Sequence, residues 1–256
     1  MNRIQSYVEE PSDLLTYEPL VAELDVEERS GDQDAHCIVT PLHYERNYAY
    51  PLIVWLHGPE GDERQVTRVM PLVSCRNYAA VGPRGTMAED GSDRGYRWSQ
   101  SPLHIARAER RVLSAVAAAR RWLNIAPSRI YLAGYGCGGT MAFRVALSQP
   151  RMFAGVCSFG GRFPTTLRPL GQLDEARKLK MFIATGREST SYVEADVCKD
   201  LRLFHSAGVS LCLRLYPCGD DLITNMLSDM DRWIMEQMSA CASGEPRQTA
   251  QRSPRQ

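Results

Sequence analysis

The strongest constraint on the fold is a glycine-rich turn that joins a short apolar run to an amphipathic segment. The apolar run covers residues 130–133 and predicts a buried strand. The segment after the turn places Met141 and Val145 on one side of a helix. The turn itself reads Gly134-Tyr135-Gly136-Cys137-Gly138-Gly139. A strand that turns directly into a helix through small residues is typical of a nucleophile elbow, where Gly-x-Ser-x-Gly exposes a serine, and the serine position here is Gly136.

Apolar runs and helical patterns alternate along the rest of the chain. Strands are predicted at residues 37–40, 51–56, 78–81, 153–159, 180–184 and 209–216, and helices at 103–124, 194–206 and 222–238. This alternation predicts an α/β fold with a mostly parallel, doubly wound sheet and helices on both faces. Ligand sites in such sheets lie outside the carboxyl ends of the strands. The glycine-rich turns follow strands, so we expect them to meet at one cleft.

Composition restricts the classes of partner. The 256 residues include 30 basic and 30 acidic side chains, and this balance gives no electrostatic reason to expect nucleic acid or an anionic membrane as a partner. The sequence has no apolar stretch long enough to span a bilayer, and its polar start is not typical of a secretory signal. No metal site and no cofactor are predicted.

The eight cysteines contain no Cys-x-x-Cys pair and no zinc-type spacing with histidine. They favour reduced core thiols and a cytoplasmic location over a disulfide framework. The acidic residues 1–35 are predicted to be an N-terminal lead-in with little fixed structure. Residues 36–238 would then form the folded domain, and residues 239–256, rich in Ser, Gly, Pro, Gln and Arg, a disordered tail.

Six stretches, in order, resemble one known family. They are the strand and turn at residues 53–58, the Pro-Arg-Gly and Gly-Tyr-Arg-Trp segments at 83–85 and 95–98, the elbow strand at 128–134, and the segments at 153–156 and 160–164. From about residue 51 to residue 236, the chain resembles the phospholipase/carboxylesterase group of α/β-hydrolase serine esterases. The resemblance implies the α/β-hydrolase fold and an oxyanion loop at His57, Gly58 and Pro59. It also implies a cleft that includes Trp98, Cys137 and Glu188.

All three positions of the triad that the resemblance implies are substituted. The nucleophile position is Gly136, the acid position in Thr-Gly-Arg-Glu-Ser is Ser189, and the base position in Tyr-Pro-Cys-Gly-Asp is Asp220. Glycine has no group with which to attack, and the ordinary pKa of an aspartate lies well below the range of a general base at neutral pH. The sequence therefore predicts a catalytically silent esterase-like protein, whose cleft is retained for a small molecule or a protein partner.

The alternative is a working carboxylic-ester hydrolase with a relocated nucleophile. Cys137 would be a thiol at a helix N-terminus, where the helix dipole lowers a thiol pKa. To reach the apex of the elbow, the register of the turn would have to shift by one residue. His57 is expected to shape the oxyanion loop through its backbone rather than to act as a base. Glu188, Asp220 and Asp221 suggest a cation site more weakly than they suggest solvated loop acids.

Overall fold

An eight-stranded sheet forms the centre of the fold. The computed structural model describes residues 26–29, 35–88, 95–167 and 169–242. The strands of the sheet are β1 (Val26–Arg29), β2 (His36–Val39), β3 (Tyr50–Leu56), β4 (Ala79–Pro83), β7 (Ile125–Tyr135), β8 (Gly155–Phe159), β9 (Lys180–Gly186) and β10 (Leu211–Tyr216), with the short pair β5 (Met87–Ala88) and β6 (Tyr96–Arg97) outside it. Their spatial order is β1-β2-β4-β3-β7-β8-β9-β10. Pairing is parallel from β4 to β10, and β1 and β2 form an antiparallel edge.

Helices cover both faces of this sheet. They are α1 (Gln65–Val73), α2 (Pro102–Trp122), α3 (Cys137–Ser148), α4 (Leu173–Ala176), α5 (Glu194–Ala207) and α6 (Thr224–Ala242). One apolar core contains side chains of α2, α3 and α5, and the other contains side chains of α1 and α6. The predicted doubly wound α/β architecture is therefore confirmed. Within the described ranges, the helices are too short or too polar for a bilayer-crossing segment.

Strand β3 shows why the central strands have continuous apolar sequences. All seven of its residues are buried. Successive side chains of a strand point to opposite faces of the sheet. Leu52, Val54 and Leu56 accordingly join the core under α2 and α3, whereas Ile53 and Trp55 join the core under α1 and α6. A strand that is covered on both faces cannot alternate apolar with polar residues.

Three elements differ from the sequence-based predictions. The strand before the elbow is predicted at residues 130–133, but β7 begins at Ile125, which pairs with Tyr50. Helix α1 was not predicted, although Val66, Val69 and Met70 bury one side of it. No strand is predicted between residues 85 and 98, where the structure has the antiparallel pair β5 and β6. Each of these elements is short or contains a proline, and both features weaken a periodic signal.

The ends of the predicted domain also differ in detail. Residues 1–35 were expected to have little fixed structure, yet β1 lies within them and pairs with β2. Helix α6 continues to Ala242, beyond the predicted start of a disordered tail at Ser239. The rest of both predicted end segments lies outside the described residues, apart from Ala35. The division into lead-in, domain and tail stays a prediction.

Candidate active site

The turn between β7 and α3 has the geometry of an elbow. Gly136 connects the last residue of β7 to Cys137, the first residue of α3, with φ 54° and ψ −119°. A residue with a Cβ clashes with the backbone in this region of φ/ψ space, whereas glycine adopts it freely. The next helical turn needs a glycine for another reason: a Cβ on Gly138 would lie 2.3 Å from the carbonyl oxygen of Leu56. The end of β3 and the start of α3 thus touch through their backbones.

The apex of the elbow carries no reacting group. A Cβ built on Gly136 would lie 3.1 Å from the Cδ atom of Pro59. Apart from this proline and the two chain neighbours of Gly136, the described residues have no atom within 4 Å of that position. A Cβ built on Gly160, at the carboxyl end of β8, would meet no atom within 4 Å. The elbow therefore faces open space with Pro59 on one side. Cys137 stands beside the apex as the first helical residue rather than at the apex.

The acid and base positions of the resemblance meet each other directly. The Ser189 hydroxyl donates to Oδ1 of Asp220 over 2.5 Å and accepts the Tyr192 backbone N–H over 2.9 Å. Oδ2 of Asp220 accepts the Thr190 hydroxyl over 2.6 Å and the Thr190 backbone N–H over 3.2 Å, and the Ser191 backbone N–H adds a contact of 3.2 Å to Oδ1. We call this set of hydrogen bonds, from residues 189–191 to Asp220, the Asp220 clasp.

The Asp220 clasp fixes the charge of its carboxylate. The hydrogen bond from Ser189, followed by that from Thr190, lowers the pKa of Asp220 well below its ordinary value. A carboxylate in this state accepts hydrogen bonds and has no tendency to take up a proton near neutral pH. Where a triad would hold an imidazole, the chain holds a carboxylate that is ionised at neutral pH and whose two oxygens both accept hydrogen bonds.

Backbone contacts join the same two loops. The N–H of Arg187 donates to the carbonyl of Tyr216 over 2.8 Å, and that of Glu188 to the carbonyl of Cys218 over 3.0 Å. The Tyr135 hydroxyl, next to the elbow, donates to the backbone carbonyl of Asp220. The Glu188 side chain is exposed. The described residues contain no group of three or more His, Cys, Asp or Glu side chains suited to a metal ion.

His57 is held by both ring nitrogens. Nδ1 lies 2.8 Å from the carbonyl of Gly58, and Nε2 accepts the backbone N–H of Gly85 over 2.8 Å. Burial lowers the pKa of His57, and only the neutral ring with hydrogen on Nδ1 satisfies both contacts. The ring therefore supports the loop after β3, in addition to its backbone carbonyl, which accepts the Trp98 indole N–H over 3.1 Å. Neither nitrogen is available as a base.

Two further side chains hold this loop in place. Trp98, expected in the cleft, is buried, and its ring centroid lies 5.3 Å from that of His57. Gln65, at the start of α1, accepts the N–H of Gly58 over 3.1 Å and the indole N–H of Trp55 over 2.9 Å. Gln65 and Thr190 were not singled out from the sequence. The Ser-Thr-Ser run at residues 189–191 was the available signal for a hydrogen-bonded turn, because Ser and Thr hydroxyls in turns bond to nearby polar groups.

Two curated proteins are similar to this chain in sequence. A curated protein of Oryza sativa subsp. japonica, whose name assigns it provisionally to the carboxylesterases, is 23% identical over 210 residues, which cover 74% of this chain and 89% of that protein. NocK of Nocardia uniformis subsp. tsuyamanensis, provisionally named as an esterase, is 30% identical over 138 residues. That match covers 48% of this chain and 37% of NocK, so the chain spans little more than a third of that relative.

Solved structures show the same fold at low sequence identity. The carboxylesterase of Mesorhizobium loti superposes with a TM-score of 0.66 and 17% identity, covering 82% of this chain and 98% of that structure. The S-formylglutathione hydrolase FrmB of Staphylococcus aureus gives a TM-score of 0.61 and 13% identity, covering 84% and 98%. The family model of the dienelactone hydrolase family matches residues 76–219, which is more than half of the chain. The resemblance to α/β-hydrolase esterases is thereby confirmed, and the chain belongs to the dienelactone hydrolase family.

Proposed function

We propose that this protein is a catalytically silent α/β-hydrolase whose cleft binds a small molecule or a protein partner without cleaving an ester. The observation that carries the proposal is the elbow apex, where Gly136 offers no atom that can attack. In a serine hydrolase, loss of the nucleophile alone costs on the order of a millionfold in turnover, about as much as loss of the whole triad. The substitutions at Ser189 and Asp220 therefore add little further loss.

The geometry of the acid and base positions supports the same function. In an active triad, the acid accepts a hydrogen bond from the base and the base accepts a proton from the nucleophile. Here Ser189 donates to Asp220, so the direction of the hydrogen bond is reversed and the acceptor is an anion of lowered pKa. This pair cannot take a proton from a nucleophile at neutral pH. It can hold two loops of the cleft together.

The open space at Gly136 and Gly160 supports a retained cleft. We include in the proposal the oxyanion-loop roles of His57, Gly58 and Pro59 as the wall of this cleft. The cytoplasmic location inferred from the cysteines, and the absence of nucleic acid among the partners, belong to the proposal as well. The seven cysteines whose side chains are described are in the thiol form rather than in disulfides.

Turnover by the purified wild-type protein tests the proposal. We expect hydrolysis of p-nitrophenyl butyrate at the rate of the buffer, and no labelling by a fluorophosphonate probe. The control for folding is a cooperative thermal transition of the same sample. Hydrolysis that is abolished by substitutions within the cleft would refute catalytic silence.

The alternative with Cys137 as nucleophile has one observation in its favour, its place at the first position of the twelve-residue helix α3. His57 does not supply a base for it, because both nitrogens of that ring are engaged in the loop after β3. Iodoacetamide labelling across a range of pH distinguishes the two. A Cys137 thiol that reacts with the pH profile of an ordinary thiol supports silence, and strong labelling that persists well below pH 7 supports the alternative.

A further inference from the structure

Besides the substituted triad, the loop after β3 contains a feature that opposes catalysis. Ester hydrolysis on an elbow needs two backbone N–H donors for the developing oxyanion, one from the residue after the nucleophile and one from the loop that follows the adjacent strand. Cys137 supplies the first position in this chain. The second donor would have to come from residues 57–64, between β3 and α1.

The amide groups on either side of Pro59 in this loop donate within the loop or to the start of α1. The N–H of Gly58 donates to Gln65, and the N–H of Gly61 donates to the carbonyl of Gly58 over 3.3 Å. Pro59 stands between them and has no N–H. Its Cδ atom is bonded to the backbone nitrogen in the place where other residues carry the amide hydrogen.

The direction of that missing hydrogen can be derived from the proline ring. Cδ of Pro59 lies 3.1 Å from the Cβ position of residue 136. An amide hydrogen at residue 59 would therefore point at the apex of the elbow, where the oxyanion of a bound ester would form. The ring instead places a methylene group there, which cannot donate a hydrogen bond.

We propose that Pro59 removes the second oxyanion donor, so that this cleft has lost its means of stabilising a transition state as well as its triad. This inference goes beyond the proposed function, because it concerns a fourth position outside the triad. It also restricts the ligand, since a ligand beside Gly136 meets an apolar methylene on this side rather than an N–H. An uncharged, apolar group fits this point of the cleft better than a carbonyl or an anionic oxygen.

Repair of the triad with and without a donor at residue 59 tests the inference. The parent variant is Gly136→Ser/Ser189→Asp/Asp220→His, and Pro59→Ala is added to it. Alanine restores the N–H and tolerates the backbone angles of proline without the added freedom of glycine. The matched control adds Pro127→Ala, which restores an N–H at an exposed position of β7. The measured quantity is the second-order rate constant of fluorophosphonate labelling.

We expect Pro59→Ala to raise the labelling rate of the parent by about 10²–10³-fold, the effect of one oxyanion donor, and Pro127→Ala to leave it unchanged. Equal rates with and without Pro59→Ala, or no labelling of either folded variant, would overturn the inference. Turnover by the wild-type protein is a separate measurement, so failure here leaves the proposed function standing and failure there is recognised independently.

A second background guards against a parent that does not fold. Gly136→Cys changes one residue, keeps the Asp220 clasp, and supplies a thiol that needs no histidine to attack an activated ester. The burst of p-nitrophenol released on acylation by p-nitrophenyl acetate is then compared with and without Pro59→Ala. A faster burst with Pro59→Ala supports the inference, and an unchanged burst contradicts it.

Discussion

Gly136 adopts a backbone conformation that is costly for any residue with a Cβ. Its φ of 54° and ψ of −119° lie outside the regions open to ordinary residues, and such strain costs about 1–3 kcal/mol. An active elbow accepts this cost in order to present its nucleophile. In this chain the residue at the apex has no Cβ, so it adopts the same angles without that strain.

We expect Gly136→Ser to lower the free energy of unfolding by about 1–3 kcal/mol, because the side chain adds backbone strain and a close contact with Pro59. Gly136→Ala is the matched variant, since it adds the Cβ without the hydroxyl and should lose a similar amount. Urea unfolding at pH 7 measures both. Stability equal to or above that of the wild type in either variant would show that the elbow is not strained.

Ser189 and Asp220 occupy the acid and base positions of a triad, and they interact with each other in place of a carboxylate and an imidazole. Their side chains are partners in the Asp220 clasp, so each should depend on the other. We expect Ser189→Ala and Asp220→Asn to be less destabilising together than the sum of the single changes, with a coupling of about 1 kcal/mol, as for other contacting pairs. Asp221→Asn is the control, because this neighbouring carboxylate has an exposed position outside the clasp. Full additivity of Ser189→Ala with Asp220→Asn in unfolding experiments would contradict the pairing.

At the scale of the elements, the loop between β3 and α1 is held by a buried imidazole. Burial lowers the pKa of His57, so the folded protein resists the proton that the unfolded chain accepts at about pH 6.5. The stability contributed by the neutral ring is complete above that pH and is lost as the pH falls below it. Protonation would also break the acceptor contact between Nε2 and the N–H of Gly85.

We therefore expect the free energy of unfolding to decline between pH 6.5 and pH 5, with a contribution from His57 of up to about 1.4 kcal/mol per pH unit. His57→Gln should flatten this decline, because glutamine offers a donor and an acceptor but takes no proton. His205→Gln, at an exposed site of α5, is the control and should leave the slope unchanged. An identical pH dependence in the wild type and His57→Gln would rule out a buried neutral ring.

The elements were predictable to different extents for physical reasons. Continuous apolar runs predicted the positions of β3, β8 and β9, because a strand that is buried on both faces has a mostly apolar sequence. Helix α1 escaped prediction because it is nine residues long and contains Pro71, although its buried residues follow helical spacing. β7 begins earlier than predicted, because the pairing of Ile125 with Tyr50 is a tertiary contact that the sequence pattern does not record.

The sequence predicted which residues occupy the candidate site, but it did not predict which of them contact each other. The three altered triad positions follow from the resemblance, residue by residue. That Ser189 would donate to Asp220 does not, because the two are 31 positions apart and the contact depends on how two loops close over the sheet. The ring contacts of His57 and the direction of the Pro59 ring are likewise set by packing. A sequence can show which groups have been lost, and coordinates are needed to show which contacts took their place.

At the scale of the whole molecule, two apolar cores on opposite faces of one sheet should unfold as one cooperative unit. α6 closes one face, where Trp233 lies 5.7 Å from Phe182 and 6.3 Å from Tyr131, between ring centroids. Both partners lie on inner strands of the sheet, and the neighbours of each along its strand face the opposite core. Loss of a buried side chain under α6 should therefore also destabilise the sheet that both cores share.

We expect Trp233→Ala to lower the free energy of unfolding by about 3–5 kcal/mol, the usual cost of removing a buried aromatic ring, and to do so in a single transition. Trp122, at the end of α2, is 56% exposed, whereas Trp233 is 5% exposed, so Trp122→Ala is the matched control and should cost less than about 1 kcal/mol. Far-UV circular dichroism, which follows all helices, and near-UV circular dichroism, which follows the aromatic core, should give coincident urea transitions for both variants. If Trp233→Ala separates the two transitions, the cores unfold independently, and a cleft built from loops over both of them would not share the stability of a single unit.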